Sequence, residues 1–175
     1  MKKFVVLAIC VLMVFAVSMM VLTAGKTAPA GQSNTAHLYL YEKDPVTWAI
    51  VEGAWGKMQY NLAGPTFDFV FNGHGLVAGA EYKLIYYPDP WPGVGLKCLG
   101  IGTANNGGNV HIAESINLSM DLGDSASDLI YGAKIWLVLS EDVSNYPSGD
   151  QKMIGWHPES YLFEGNGIFY NDTDD

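Results

Sequence analysis

The side chains best able to do chemistry in this sequence are carboxylates, and they come in clusters. Asp121, Asp124 and Asp128 fall in one loop-like stretch, and Asp172, Asp174 and Asp175 close the chain. Calcium takes hard oxygen ligands from flexible segments, so Asp121, Asp124 and Asp128 are the candidate ligands for that ion, although neither cluster follows the EF-hand pattern. A solvated acidic loop and an acidic tail are the plainer alternative. No organic cofactor is indicated. Paired carboxylates can also run glycosidase-type acid–base hydrolysis, and Asp89 and Glu159, each close to a loop tryptophan, are the candidates for such a pair. His37, His74, His111 and His157 do not stand at metal-ligand spacing, and neither His-Glu-x-x-His nor Cys-x-x-Cys occurs. A Gly-x-Ser-x-Gly nucleophile elbow and a phosphate-cradling glycine loop are absent too. The balance leans away from an enzyme, and no catalytic residue is assigned.

Recognition chemistry is better represented. The stretch Ile85–Gly95, IYYPDPWPGVG, packs three aromatics, three prolines and one carboxylate into a single connection. Its prolines cannot donate ladder hydrogen bonds, so strand pairing should stop near Tyr87, and Gly93 and Gly95 let the chain turn back. That accounts for the prolines and glycines but leaves Tyr87, Asp89 and Trp91 facing outward. Trp136 joins them as a candidate ligand-binding residue, because it lies opposite the face shared by Ile135, Leu137 and Leu139. Tyrosine and tryptophan suit both protein contacts and sugar stacking. Two readings of these surplus aromatics stand side by side. Either the long loop and the C-terminal segment cover them, or they form an exposed apolar patch that marks an interface. Asn117-Leu-Ser119 and Asn171-Asp-Thr173 are acceptor sequons for N-glycosylation in an exported protein.

Export is read from the opening of the chain. Lys2 and Lys3 precede an apolar run from Phe4 to Leu22, and Ala28-Pro29-Ala30 has the small-x-small form of a cleavage site. The run also suffices to span a bilayer, so residues 1–30 are a signal peptide or an N-terminal membrane anchor. Both readings put the rest of the chain outside the cell, secreted or held at the cell surface, with the membrane touched only by this segment. From residue 31 onward there are 18 acidic residues against six lysines, and the chain has no arginine. Nucleic-acid binding leans on basic side chains and is excluded as an expectation. Cys98 is the only cysteine after residue 30, so no internal disulfide is expected, and its neighbours mark it as a small buried hydrophobe.

The elements that must position these residues alternate with period two. Met58, Tyr60 and Leu62 alternate with Lys57, Gln59 and Asn61, and Phe67, Phe69 and Phe71 share one face. Similar runs occur at 37–42, 48–51, 81–87, 96–103, 109–116, 133–140 and 161–170. Gly64-Pro65, Gly73-His-Gly75, Asn105–Asn109 and Pro147-Ser-Gly149 punctuate them, and the cluster at 105–109 predicts a hairpin turn. Residues 118–130 form the longest expected loop. The expectation is all-β: an immunoglobulin-like antiparallel β-sandwich of about eight or nine strands. It would span residues 37–170, after a linker at 31–36 and before an acidic tail at 171–175.

Leu76-x-x-Gly79-x-x-Tyr82-x-Leu84 resembles the corner of fibronectin type III and related immunoglobulin-like domains, with Ala78 where those domains carry proline. The resemblance implies a hydrogen bond between the Tyr82 hydroxyl and the backbone of the corner. More broadly, FNGHGL, NGGNVHIA, GAKIWLVLS and MIGWHPESYLFE resemble a group of small secreted β-sandwich proteins from prokaryotes, archaea among them. That likeness spans residues 37–169 and implies fold and export, not chemistry. The functional expectation is an exported, non-enzymatic module for adhesion, surface assembly or polysaccharide recognition. Its partner would be a cell-surface protein, a polysaccharide or further copies of itself. An extracellular carboxylate-dependent hydrolase and a self-assembling envelope or filament subunit are the alternatives.

Overall fold

The computed structural model describes residues 33–123, 132–144 and 151–174. By its internal contacts the chain divides into Met1–Ser33 and Asn34–Asp175, and the architecture below is that of the second unit. The leader or anchor expected over residues 1–30 lies outside the described residues. Among the described residues, no helix is long and apolar enough to cross a membrane.

Eight antiparallel strands form one sheet: β1 (Thr35–Lys43), β2 (Ile50–Asn61), β4 (Phe67–His74), β5 (Glu81–Tyr87), β6 (Lys97–Thr103), β7 (Val110–Ile116), β8 (Lys134–Leu139) and β9 (Leu162–Glu164). Two short strands, β3 (Ala63–Gly64) and β10 (Asn171–Asp172), pair in parallel beside it. The order in the large sheet is β6-β5-β8-β9-β1-β2-β4-β7. Alternation explains most of this. In β4, Phe67, Phe69 and Phe71 are buried while Asp68, Val70 and Asn72 are exposed. One core draws on both halves of the sheet, with Leu38, Leu40, Met58 and Phe71 from one side and Tyr82, Leu84, Ile135 and Leu137 from the other. Hydrophobic burial of this kind contributes roughly 1.5–3 kcal/mol per large side chain.

Two departures from expectation have local causes. Residues 48–51 and 57–62 read as separate strands, but Ile50–Asn61 is one continuous strand running through Gly53 and Gly56. Gly56 is needed there, because a Cβ would overlap the ring of Phe71 on the neighbouring strand. The predicted turn at 105–109 forms, with Asn105 accepting from Gly108 N and donating to Asn109 O. Yet β6 and β7, which it joins, are not ladder partners; they are the two ends of the sheet and pack against each other at a seam. The sheet therefore curls until it nearly closes on itself. The strands thus form one curled sheet, where the expectation was two separate ones.

Glycines make the seam. A Cβ on Gly100 would lie 2.5 Å from Ile112 Cγ2, and one on Gly102 would lie 2.8 Å from Val110 Cγ2. Gly100→Val should therefore destabilise the protein by about 1–3 kcal/mol, because the seam cannot open without exposing the core. Urea unfolding of the variant checks this, and an unchanged midpoint would show that the seam is loose.

The corner bond implied by the Leu76–Leu84 resemblance is present: Val77 N donates to the Tyr82 hydroxyl at 3.2 Å. Residues 171–174, expected as an acidic tail, are instead built into the end of the fold. Asn171 N bonds Leu62 O, Thr173 N bonds Gly64 O, and Asp172 is buried. Ile168 and Tyr170 bridge to Ala133 and Leu122, closing the bottom of the core.

Among the described residues, the outer face of the sheet is covered on one half only. Ile85, Tyr87, Trp136, Val138 and Phe163 lie beneath Leu96, Val143, Met153 and Tyr161, in a second core. Among the described residues, the cover comes from Leu96, Val143, Met153 and Tyr161. Over β1 and β2 the described residues supply no such cover, and Tyr39 and Trp55 are exposed. The surplus aromatics are thus buried in a second core on one half of the sheet and exposed on the other.

Candidate functional site: an aromatic cleft

Five separate elements deliver aromatic rings to one cleft of about 390 Å³. Tyr87 ends β5, and the chain beyond it, with cis peptide bonds at Asp89-Pro90 and Trp91-Pro92, carries Asp89 and Trp91. β8 contributes Lys134 and Trp136, and β9 contributes Phe163 and Glu164. The β1–β2 turn contributes Trp48. The segment before the 3-10 turn at Pro158–Ser160 contributes Trp156.

Each ring is held in place. Tyr87 and Trp136 stack with centroids 3.9 Å apart and planes 11° from parallel. Phe163 meets Trp136 edge-on at 5.2 Å and Trp48 at 5.1 Å. Trp156 meets Trp91 edge-on at 5.3 Å. Such contacts add roughly 0.5–1.5 kcal/mol each beyond area burial. Trp48 adopts φ of 59°, a left-handed conformation that is rare for a bulky residue and costs on the order of 1–3 kcal/mol. The turn sustains it through Asp44, whose carboxylate accepts from Val46 N, Thr47 N and the Thr47 hydroxyl. Those bonds, the Thr47 N–H foremost, hold the Asp44 carboxyl below its usual range. Trp48, Trp91 and Trp156 nevertheless remain 48%, 52% and 39% exposed, so the mouth of the cleft is an open aromatic surface.

Charge sits among these rings. Lys134 Nζ pairs with Asp89 Oδ2 at 2.5 Å, and Lys43 Nζ donates to the Glu164 backbone carbonyl at 2.8 Å. Burial pushes the Glu164 carboxyl up to about 7, against the pull of its own backbone N–H, Lys43 and Lys134. The Trp136 indole N–H also favours the ionised carboxylate. However, neither that N–H nor Glu164 Oε2 makes a hydrogen bond of acceptable geometry. Burial and the Asp89 charge push the Tyr87 phenol up to about 12.

The sequence-derived candidates Tyr87, Asp89, Trp91 and Trp136 are thus brought together. Tyr87 and Trp136 are buried as the floor rather than outward-facing, and only Trp91 is open to solvent. Trp48, Trp156, Phe163, Lys43, Lys134 and Glu164 complete the site and were not singled out by sequence. A signal for the tryptophans did exist, since Trp48 and Trp156 both stand beside turn-forming residues. Glu159, paired with Asp89 as a hydrolase candidate, is exposed on its 3-10 turn and does not line the cleft. The carboxylates that do are Asp89 and Glu164.

The remaining candidates are placed elsewhere. Asp121 Oδ1 accepts from Asp172 N at 2.7 Å, tying the loop to β10, while Asp124 and Asp128 lie outside the described residues. Among the described residues no three His, Cys, Asp or Glu side chains are grouped to hold a metal. Asn117 and Asn171 are both exposed. Asn117 Oδ1 accepts from the Ser119 N–H and hydroxyl, each at 2.8 Å. Cys98 is half-buried, and burial raises its thiol above the ordinary value, away from the reactive thiolate. His74 and His111 bond Asn109 and Asn72, and His157 bonds the buried Asp142. No protein-family model, curated protein or solved structure matches this chain.

Proposed function

We propose that the chain is an exported, non-enzymatic recognition module whose aromatic cleft binds polysaccharide. The observation that carries this reading is the gathering of four of the five tryptophans around one cleft, three of them with open ring surface. Exposed indoles are costly in water and profitable against the apolar faces of sugar rings, while Asp89, Lys134 and Glu164 offer hydrogen bonds to hydroxyls. The basic start and apolar run of residues 4–22 support export, and an acidic, arginine-free chain suits a role away from nucleic acid. The immunoglobulin-like description rests on the Tyr82 corner and on two sheet halves facing one core. The β9–β1 ladder that joins those halves is its departure.

Calorimetric titration of the intact protein with oligosaccharides of cellulose, chitin and mannan tests the reading. Binding is expected for at least one series, with Trp91→Ala weakening it at least about tenfold, as for a central aromatic anchor. Absence of binding at millimolar concentration across all three series removes the proposal.

One observation favours a second reading. A carboxyl titrating near 7 beside an ion-paired carboxylate resembles the divided acid and base roles of glycoside hydrolases. That enzyme would use Asp89 with Glu164. Release of reducing ends from a bound oligosaccharide, lost in Glu164→Gln, would establish it.

A further inference from the structure

The strand register carries the aromatic site beyond the cleft. Ile85 pairs with Trp136, Trp136 with Phe163, Phe163 with Tyr41, Tyr41 with Trp55, and Trp55 with His74. These six residues therefore form one row across β5, β8, β9, β1, β2 and β4, perpendicular to the strands. Direct partners in a sheet point to the same face, and neighbouring strands stand about 4.8 Å apart, so the rings recur at that interval. Burial falls along the row, from Ile85, Trp136 and Phe163 under cover to Trp55, which is 42% exposed. Trp55 packs on His74 at 4.8 Å, and Tyr41 stacks on Tyr39 at 6.3 Å.

A second row runs beside the first, with Tyr39 opposite Lys57, Lys57 opposite Asn72, and Asn72 opposite His111. Its side chains are polar: Asn72 Oδ1 meets His111 Nδ1 at 2.8 Å, and Lys57 Nζ makes a cation–π contact over the Tyr39 ring at 5.7 Å. A continuous aromatic strip edged by a polar strip fits a chain of repeating units with apolar faces and hydroxylated rims. A second copy of this chain is a poor occupant, since each copy carries 18 acidic residues against six lysines after residue 30.

Building on the reading of the cleft as a polysaccharide site, we infer that its ligand is an extended polysaccharide that leaves the cleft across β1, β2 and β4, along Tyr41, Trp55 and His74. The cleft is one end of a multi-subsite track.

Chain-length dependence tests this in the intact protein, using the disaccharide and hexasaccharide of cellulose, chitin and mannan. For the series that binds, affinity should rise at least tenfold from disaccharide to hexasaccharide. Trp55→Ala should remove that gain while leaving disaccharide binding unchanged, and Trp55→Phe, which keeps a ring, should retain most of it. Trp91→Ala should weaken both lengths. Equal affinity for the two lengths, or a Trp55→Ala variant with unchanged hexasaccharide affinity, overturns the track and leaves the cleft reading standing. Failure of every oligosaccharide to bind removes both. Circular dichroism of Trp55→Ala, a partly exposed site, confirms that any loss is not unfolding.

Discussion

Replacing Asp142 by alanine is expected to lower the unfolding free energy by about 3 kcal/mol, more than any other surface-segment change here. The carboxylate is buried, although it belongs to a short 3-10 turn at Ser140–Asp142. Its Oδ2 accepts the Tyr161 hydroxyl at 2.5 Å and faces His157 Nδ1 at 2.8 Å, while its backbone carbonyl accepts Ile154 N at 2.7 Å. Alanine leaves the Tyr161 hydroxyl proton without its acceptor in an apolar second core, its oxygen keeping only the His157 N–H, and a buried donor so stranded carries a desolvation cost. Tyr161→Phe removes the hydroxyl and keeps the ring, so it should cost only about 1 kcal/mol. The network also pins residues 154–161, which bring Trp156 to the cleft, so the variant should lose ligand binding as well as stability. His157 adds a pH signature. Its hydrogen bond to Asp142, with the negative charge there, holds it above its ordinary 6.5. A raised folded value means its contribution is complete below 6.5 and fades as pH climbs through that higher value. In Asp142→Ala this fading should shrink, with only the weaker pull of Glu159 and Glu141 left. Urea unfolding at pH 6 and pH 8 reads both effects; a loss below 1 kcal/mol would sink the structural role.

Glu164→Gln should do the opposite and stabilise the protein, but only toward alkaline pH. Burial lifts the Glu164 carboxyl from 4.5 to about 7. An unfolded chain gives up this proton near 4.5, whereas the folded chain keeps it until about 7. Between those values the folded state binds more protons, so stability falls as pH rises, and above 7 the full cost applies. That gap corresponds to roughly 3 kcal/mol. Glutamine is neutral throughout, so its advantage over wild type should grow by up to roughly 3 kcal/mol between pH 4 and pH 8. Parallel denaturation of both proteins at the two pH values measures it. A constant difference across that range would show Glu164 to be ionised in the fold. Wild type retains this costly group at a cleft lined with open tryptophans, as expected of a residue kept for binding or chemistry rather than stability.

Much of the architecture was legible locally. β5 spans Glu81–Tyr87 as alternation and the following prolines predicted, and β4, β6, β7 and β8 lie within a few residues of their expected bounds. The Tyr82 bond followed from one corner motif. The long strand β2 was misread because Gly53 and Gly56 look like breaks, and only the Phe71 ring across the ladder shows why glycine is required. The unpaired seam had no local signature either, since Asn105–Asn109 is the same turn whether or not its strands form a ladder.

The sequence alone determined that this chain is all-β, that residues 85–95 leave a strand carrying Asp89 and Trp91, and that its formal charge is strongly negative with no arginine. These properties depend on residue type and on spacing within a few positions, where sterics, alternation and formal charge act. Only the tertiary structure decided which aromatics stand together. Trp48, Trp91, Trp136 and Trp156 span more than half the chain, and they meet because strand order and register place β1, β8 and β9 side by side. It also decided the state of Glu164, whose proton affinity is set by burial beneath residues distant in sequence. Register and burial are non-local quantities, and they turned a proline-rich loop into the rim of a cleft.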